Sequence, residues 1–293
     1  MLLSELTSIK IGGTAAEFHV PETIEAFARL LAELRDARPF VLGGGCNTLF
    51  PDGRFERPVV STAKLQRVEI DGTSVVAGAG VRIDILIRRA IASGLGGLEG
   101  LVGIPGTVGG ATAMNAGGHG GCFGDHVAEI GLVSLQDGGL QRVPGPDVPW
   151  GYRSWNLEGF AVGWVRLELE PADPDVLRCR AREFILKKSR SQPLSQPSSG
   201  CVFKNPGSGS AGALIDAAGL KGERIGGAMV SERHANFIVN DGTQATASDV
   251  LALIRRVREK VHATSGVALE TEIVLAGASP VGPATALGAR AGW

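Results

Sequence analysis

The chain has 293 residues, long enough for two domains of ~100–200 residues each, so a disulfide-stapled miniprotein is excluded. Lys and Arg number 29 against 30 Asp and Glu, for a net charge of −1, with 44% hydrophobic residues; nothing pulls the chain as a whole toward nucleic acid or an anionic membrane. Glycine is the anomaly: 43 residues, about twice the ~7% of average proteins, yet with 15 prolines and no collagen period, so a fibrous composition is excluded too.

The opening MLLSELTSIKIGG lacks a basic segment leading into an apolar stretch and is not expected to act as a secretory signal. Over 22–37, Ile24, Phe27, Leu30, Leu31 and Leu34 fall at helical spacing between Pro21 and Pro39. A short strand, 40–42, then runs into Gly43-Gly44-Gly45. Strands are expected at 59–60, 65–70 and 74–77, and a helix over 83–92 that Gly94 stops. The most apolar stretch, 95–114, carries Glu99 and seven glycines, so it is not expected to span a membrane.

Strands 127–135 and 140–143 flank Asp137-Gly138-Gly139, a hairpin signal; 165–169 is another strand, and 175–188 a helix whose basic end suits its dipole. Between 189 and 209 the texture turns to Ser, Pro, Gln and Gly, as at a crossing between domains. Beyond it come a helix 211–217, strands 226–230 and 236–239, a helix 248–263 and a last strand 269–275. This is α+β texture with no internal repeat, and 278–293 reads as a loose tail. Four scattered cysteines, Cys46, Cys122, Cys179 and Cys201, show no metal-ligand spacing, which points to a reducing, cytoplasmic setting with no metal.

Two glycine clusters carry functional expectations. Gly43, Gly44 and Gly45, with Cys46 and Asn47, follow a strand directly and could offer backbone N–H groups to a phosphate; the alternative is a tight turn. The larger cluster, 94–121, includes Ile104, Pro105, Gly106, Thr107, Gly109, Gly110, Asn115, Ala116 and Gly117. It reads either as backbone lying flat against a large ligand or as close backbone packing. Gly78-Ala79-Gly80 has Ile83 at the sixth position, so the Rossmann fingerprint fails.

Side chains with chemistry are fewer. Cys201, Lys204 and Asn205 sit close together in one segment, and Tyr152-Arg153 holds the only tyrosine. Glu270 and Glu272, two apart on the expected last strand, share a face, so alternation does not choose between them. His234 has no second ligand nearby at metal spacing.

The segments 42–47 (LGGGCN), 97–115 (GLEGLVGIPGTVGGATAMN), Tyr152-Arg153-Ser154, 200–206 (GCVFKNP), 212–222 (GALIDAAGLKG), 226–240 (GGAMVSERHANFIVN) and 269–277 (LETEIVLAG) resemble, in order, the UDP-N-acetylenolpyruvoylglucosamine reductase family, in its shorter subtype. The resemblance runs from Ile11 to Gly277. It implies an α+β fold with a two-lobed FAD-binding region of the vanillyl-alcohol-oxidase (PCMH) type over 1–190, with lobes 1–62 and 63–190. A smaller α+β substrate domain would occupy 191–266, and a strand 267–277 would return to the flavin side. FAD would lie on 43–47, 104–110 and 115–117. NADPH would reduce it and leave, and the enolpyruvyl nucleotide sugar would follow. Hydride would pass to the vinyl carbon and a proton to its neighbour.

By the same resemblance Arg153 and Glu272 attend the substrate carboxylate, and Tyr152, Arg190, Lys204, Asn205 and His234 bind substrate. Cys201 stands where the family usually has serine and would be the proton donor. A thiol, with an unperturbed pKa of ~8.5, is a better acid than an alcohol. Leu6 and Val274 also depart from residues often found, Asn and Arg. Two alternatives stand beside this reading: another FAD oxidoreductase of the superfamily and, motivated by the departures at Cys201 and Val274, a flavin-binding relative without catalysis. No nucleic-acid or membrane partner is expected, and a monomer is favoured.

Overall fold

The computed structural model describes residues 1–207, 209–242 and 244–277; the expected tail 278–293 lies outside them. The chain divides into two compact units: Phe18–Gly44 with Pro58–Gln192, and Met1–Glu17 with Gly45–Arg57 and the residues from Pro193 on.

The unit of 18–44 and 58–192 is built on two larger sheets, beside the short pairings of Gly117–Gly118 with Gly121–Cys122 and of Leu95–Gly96 with Glu170–Pro171. Phe18–His19, Val59–Ser61 and Phe40–Leu42 form a parallel three-stranded sheet. In the same unit, α1 (Ile24–Glu33) buries Phe27 and Leu31, and the Thr23 hydroxyl accepts from Ala26 N–H at 3.1 Å to start it. The second sheet is antiparallel, ordered Leu140–Pro144, Val127–Ser134, Phe160–Glu168, Ser74–Gly78, Val68–Asp71. Its hairpin closes at Asp137 as expected, with Val133 opposite Leu140. Both strands that pass through the centre alternate little: Val127–Ser134 buries five residues in a row at its end. Three helices complete the unit: α2 (Ile83–Ala92), α3 (Val108–Ala113) and α4 (Pro174–Ser191). Helix α3 has no counterpart in the sequence reading; its six residues VGGATA give a helical period too little length to register.

The other unit is built from three separated stretches, so the expected boundary at 190 does not describe it. The reasons are local pairings. Thr14–Ala15 pairs with Arg54–Phe55, and Thr48–Leu49 pairs with Val274–Leu275, both in parallel. The Ser8 hydroxyl donates to Ser198 O at 2.6 Å, and the Asn240 amide to Ile9 O at 3.3 Å. The C-terminal part adds the antiparallel sheet Ser198–Cys201, Phe237–Asn240, Ala228–Val230, Arg224–Ile225 with α5 (Ala211–Ala217) and α6 (Ala247–Ser265). Helix α6 starts one residue before the expected 248 because Thr246 and Asp249 form a capping box, while both Asp52 carboxylate oxygens accept from the Ala247 and Ser248 N–H groups. Its core is Ile9, Leu49, Phe203, Ile215, Val230, Leu253 and Val257. The expected strand 269–275 is strand only at Val274–Leu275; earlier, Thr271 makes a single bridge to Phe203. The backbone there serves the 202–204 segment first and then turns to Thr48–Leu49, so it cannot hold one ladder throughout.

Candidate active site

In the unit of 18–44 and 58–192, backbone does most of the building. The strand Phe40–Leu42 delivers Gly43, whose missing side chain leaves room: a Cβ there would stand 2.8 Å from the Thr107 hydroxyl and 3.7 Å from the Gly110 amide. Thr107 is the residue before α3, a capping position, yet its hydroxyl makes no capping bond. That hydroxyl is buried, with the residue 6% exposed, and has no hydrogen-bond partner among the described residues. The Gly110 N–H belongs to the first helical turn, where no intrahelical acceptor exists. Donors face a glycine whose Cα allows close approach, which suits a phosphate-bearing group.

Several other glycines answer to packing. The Val108 and Gly109 N–H groups donate to Val81 O (2.8 Å) and Ala79 O (2.9 Å), and a Cβ on Gly109 would lie 3.0 Å from Ala79 Cβ. On Gly100 it would lie 1.9 Å from the His119 carbonyl oxygen. Of the two readings left open for the large cluster, close backbone packing therefore accounts for Gly100 and Gly109. Gly106, with φ +121°, accepts from Ile83 N–H at 3.1 Å.

Gly117 has a third function. A Cβ there would be 2.7 Å from an Arg153 Nη1, so its absence lets the guanidinium lie against the chain. Arg153 is half-buried at φ +57°, in a loop closed by the Gly151–Ser154 bridge, and its guanidinium carbon sits 5.2 Å from the centre of the Tyr152 ring. Asn115 holds this loop: its Nδ2 donates to Gly151 O at 3.1 Å, and its Oδ1 accepts from Gly124 N–H at 3.0 Å. Both ends of the Asn115 side chain are spent on protein, which makes it a clamp on the Arg153 loop. Tyr152 is 54% exposed, and Arg190 is exposed near the end of α4.

In the other unit, side chains dominate. Gly45 (φ +63°) is fixed by packing, since a Cβ would lie 2.0 Å from Leu6 O. Cys46 and Asn47 follow, half-buried; Asn47 Nδ2 donates to Glu272 O at 3.1 Å, and Val274 N–H donates to Asn47 O at 2.9 Å. Cys201 ends the strand Ser198–Cys201 opposite Phe237, half-buried. The next residues are stitched to the 270–272 segment: Glu272 N–H donates to Val202 O at 2.7 Å, and Lys204 N–H to Glu270 O at 2.9 Å. Cys201, Lys204 and Glu272 thus lie on adjoining stretches of backbone. Glu270, exposed, pairs with Lys204 at 3.5 Å, so the two glutamates separate in environment: Glu272 is the half-buried one. The Asn205 Oδ1 accepts from Ala211 N–H at 3.0 Å, tying the segment to α5.

Asn236 was not anticipated. Its Oδ1 accepts from Phe203 N–H at 2.9 Å and its Nδ2 donates to Phe203 O at 2.8 Å, in a side chain 4% exposed. The clue in the sequence is an amide between the apolar Ala235 and Phe237. His234 Nδ1 accepts from Asn236 N–H at 3.3 Å, its ring lies edge-on to Phe237 at 4.8 Å, and burial lowers its pKa below the ordinary value. Among the described residues no cluster of His, Cys, Asp and Glu could hold a metal, and no helix is long and apolar enough to cross a membrane.

Comparison with known proteins fits this geometry. Residues 192–276 match the family described as UDP-N-acetylenolpyruvoylglucosamine reductase, C-terminal domain, and residues 15–144 match an FAD binding domain family. A UDP-N-acetylenolpyruvoylglucosamine reductase from Geobacter metallireducens is 43% identical over 92% of this chain and 91% of its own. The chain belongs to the UDP-N-acetylenolpyruvoylglucosamine reductase family. A second relative of that name, from Symbiobacterium thermophilum, is 42% identical over 95% of this chain and 91% of its own. The crystal structure of the reductase from Thermus caldophilus is 38% identical, with a TM-score of 0.83 over 94% of this chain and 97% of that one. The α+β fold class inferred from the sequence stands, and with it the FAD-binding region.

Proposed function

We propose that this protein reduces UDP-N-acetylglucosamine enolpyruvate to UDP-N-acetylmuramate, with FAD as cofactor and NADPH as reductant, in peptidoglycan precursor synthesis. The observation that supports the reading is the stitching of the Cys201–Lys204 stretch to the 270–272 segment through Val202 and Glu270, so that the residues bearing the Cys201 thiol and the Glu272 carboxylate lie on adjoining backbone. Family membership supplies the substrate.

FAD, when bound, would supply the hydride chemistry that links NADPH to the enolpyruvyl double bond. Gly43, Gly44, Thr107 and Gly110 would hold its phosphates, and Ile104, Pro105, Gly106, Ala116 and Gly117 its ring and ribityl chain. The fit rests on the buried Thr107 hydroxyl and on the space a Gly43 Cβ would fill.

The remaining chemistry belongs to this chain. Arg153, held by the Asn115 clamp, presents a fixed cation to the substrate carboxylate, where negative charge develops as the double bond is reduced. Glu272 assists at the same carboxylate. The Cys201 thiol gives its proton to the carbon beside it. Lys204 and Asn205 place the substrate, with Tyr152, Arg190 and His234 contributing to the nucleotide-sugar site. Four cysteines without a disulfide among the described residues support a cytoplasmic setting, and we favour a monomer.

The test uses the purified protein: flavin absorbance with FAD bound, and NADPH oxidation that depends on added UDP-N-acetylglucosamine enolpyruvate. Flavin without substrate-dependent turnover would overturn the proposal in favour of a non-catalytic flavoprotein.

A further inference from the structure

Helix α4 carries Leu177, Ala181, Phe184 and Lys188 at intervals of four, three and four residues, so they form one stripe. The first three behave as a packing stripe should. Leu177 and Ala181 are buried, a Cβ on Gly96 would lie 3.0 Å from Leu177 Cδ2, and Phe184 stacks on His119 at 4.7 Å with the planes 9° apart. Lys188 takes the fourth position, where an apolar residue would complete the pattern, and it is only 8% exposed. Its Nζ donates to Val102 O at 2.6 Å, and its Cδ lies 3.2 Å from where a Gly103 Cβ would stand. The side chain straps the start of the loop that leads through Ile104 and Pro105 to Gly106.

No carboxylate balances this charge: among the described residues Lys188 has no ion pair. Glu99, on the same helix-to-loop contact, is already used, with Oε1 3.5 Å from Arg180 and Oε2 accepting from Gly97 N–H at 2.7 Å. Burial lowers the Lys188 pKa to about 8, which still leaves the ammonium mostly protonated at neutral pH. A buried cation without an ion pair is costly, and methionine would fill the stripe without that cost. The Val102 carbonyl and the helix C-terminus compensate the charge only in part, so an anion brought by a ligand would be favoured near it.

We propose that Lys188 is a positioning residue for the flavin-lining loop and the fixed positive charge behind it, favouring the cofactor in its reduced, negatively charged form. This rests on the reading that FAD occupies the 104–117 loop. Charge near a flavin ring is a recognised means of setting its electronics.

The experiment compares wild type with Lys188→Met, Lys188→Gln and Lys188→Arg, measuring the flavin midpoint potential against a reference dye and FAD affinity by titration of stripped protein. Gln can still donate to the Val102 carbonyl, so it removes the charge with less loss of the strap. Both neutral variants are expected to have a lower potential, binding reduced flavin about tenfold more weakly relative to oxidised flavin than wild type does. Arg should restore the wild-type potential. Unchanged potentials in FAD-loaded neutral variants would overturn the proposal, as would an equal drop in Lys188→Arg. A wild-type protein that takes up no FAD would instead overturn the flavin reading beneath it.

Discussion

The two units make their candidate functional residues by different means. Around Gly43 and residues 104–117 the structure uses what is absent: a missing Cβ brings Thr107 near Gly43 and Arg153 near Gly117. Around Cys201 it uses what is present, with Asn236, Asn47 and the 270–272 backbone each holding a specific neighbour. Where the backbone-made region is close-packed, as at Gly109, added volume is costly, whereas a side-chain-made region tolerates no lost hydrogen bond. Substitutions should therefore fail in opposite ways in the two regions, and that contrast can be tested.

The largest effect is expected in the side-chain region. Cys201→Ala should leave flavin reduction by NADPH unchanged and slow its reoxidation by substrate about 10²- to 10⁴-fold, the range for a lost general acid; stopped-flow absorbance separates the two half-reactions. Equal reoxidation in variant and wild type would remove Cys201 from the chemistry. Next comes Asn236→Ala, which strands the buried N–H and C=O of Phe203. Two such groups at ~1–3 kcal/mol each put the loss of stability at about 2–6 kcal/mol, readable by urea denaturation. Reoxidation should slow as well, because the same residue holds the segment that carries Cys201.

The backbone region should answer with smaller effects, of two kinds. Gly109→Val forces a branched side chain against Ala79 and should cost about 1–3 kcal/mol of stability, whether or not FAD is present. Gly44 is exposed in its loop, so Gly44→Val should leave the unfolding midpoint of the stripped protein nearly unchanged and weaken FAD retention. If both variants lost FAD with equal stability, Gly109 would belong to the ligand surface after all.

Much of the fold was legible because its elements are periodic. Helices over 83–92 and 211–217 appear where the sequence places them, and the Asp137 hairpin closes as its turn residues require. The glycine excess marks the backbone-made region from the sequence alone, since composition records missing side chains. It did not distinguish Gly43, which opens space, from Gly109, which packs. The side-chain region was readable only through family resemblance: Asn236 acts across 33 residues on Phe203, and no local spacing encodes that pairing. Lys188 shows the same limit from the other side. A basic residue at a helix C-terminus is the ordinary answer to the helix dipole, and only the phase of Leu177, Ala181 and Phe184 hints that this one turns inward.

The finest test of the contrast is Thr107. A threonine at a helix N-cap normally contributes ~1 kcal/mol by accepting a backbone N–H, but this one makes no capping bond, and its hydroxyl is buried with no partner among the described residues. A residue used only for packing would have no reason to retain that oxygen. Thr107→Val keeps the shape and the β-branch, which suits the extended backbone there (φ −119°, ψ 161°), and removes only the hydroxyl. The stripped protein should therefore gain up to ~1 kcal/mol from losing an unsatisfied buried group, while FAD affinity falls about threefold to tenfold. Calorimetry of the stripped protein and FAD titration read the two signs separately. Loss of both stability and affinity would mean that the hydroxyl supports the fold, and the backbone-made region would then lose the hydroxyl assigned to its cofactor.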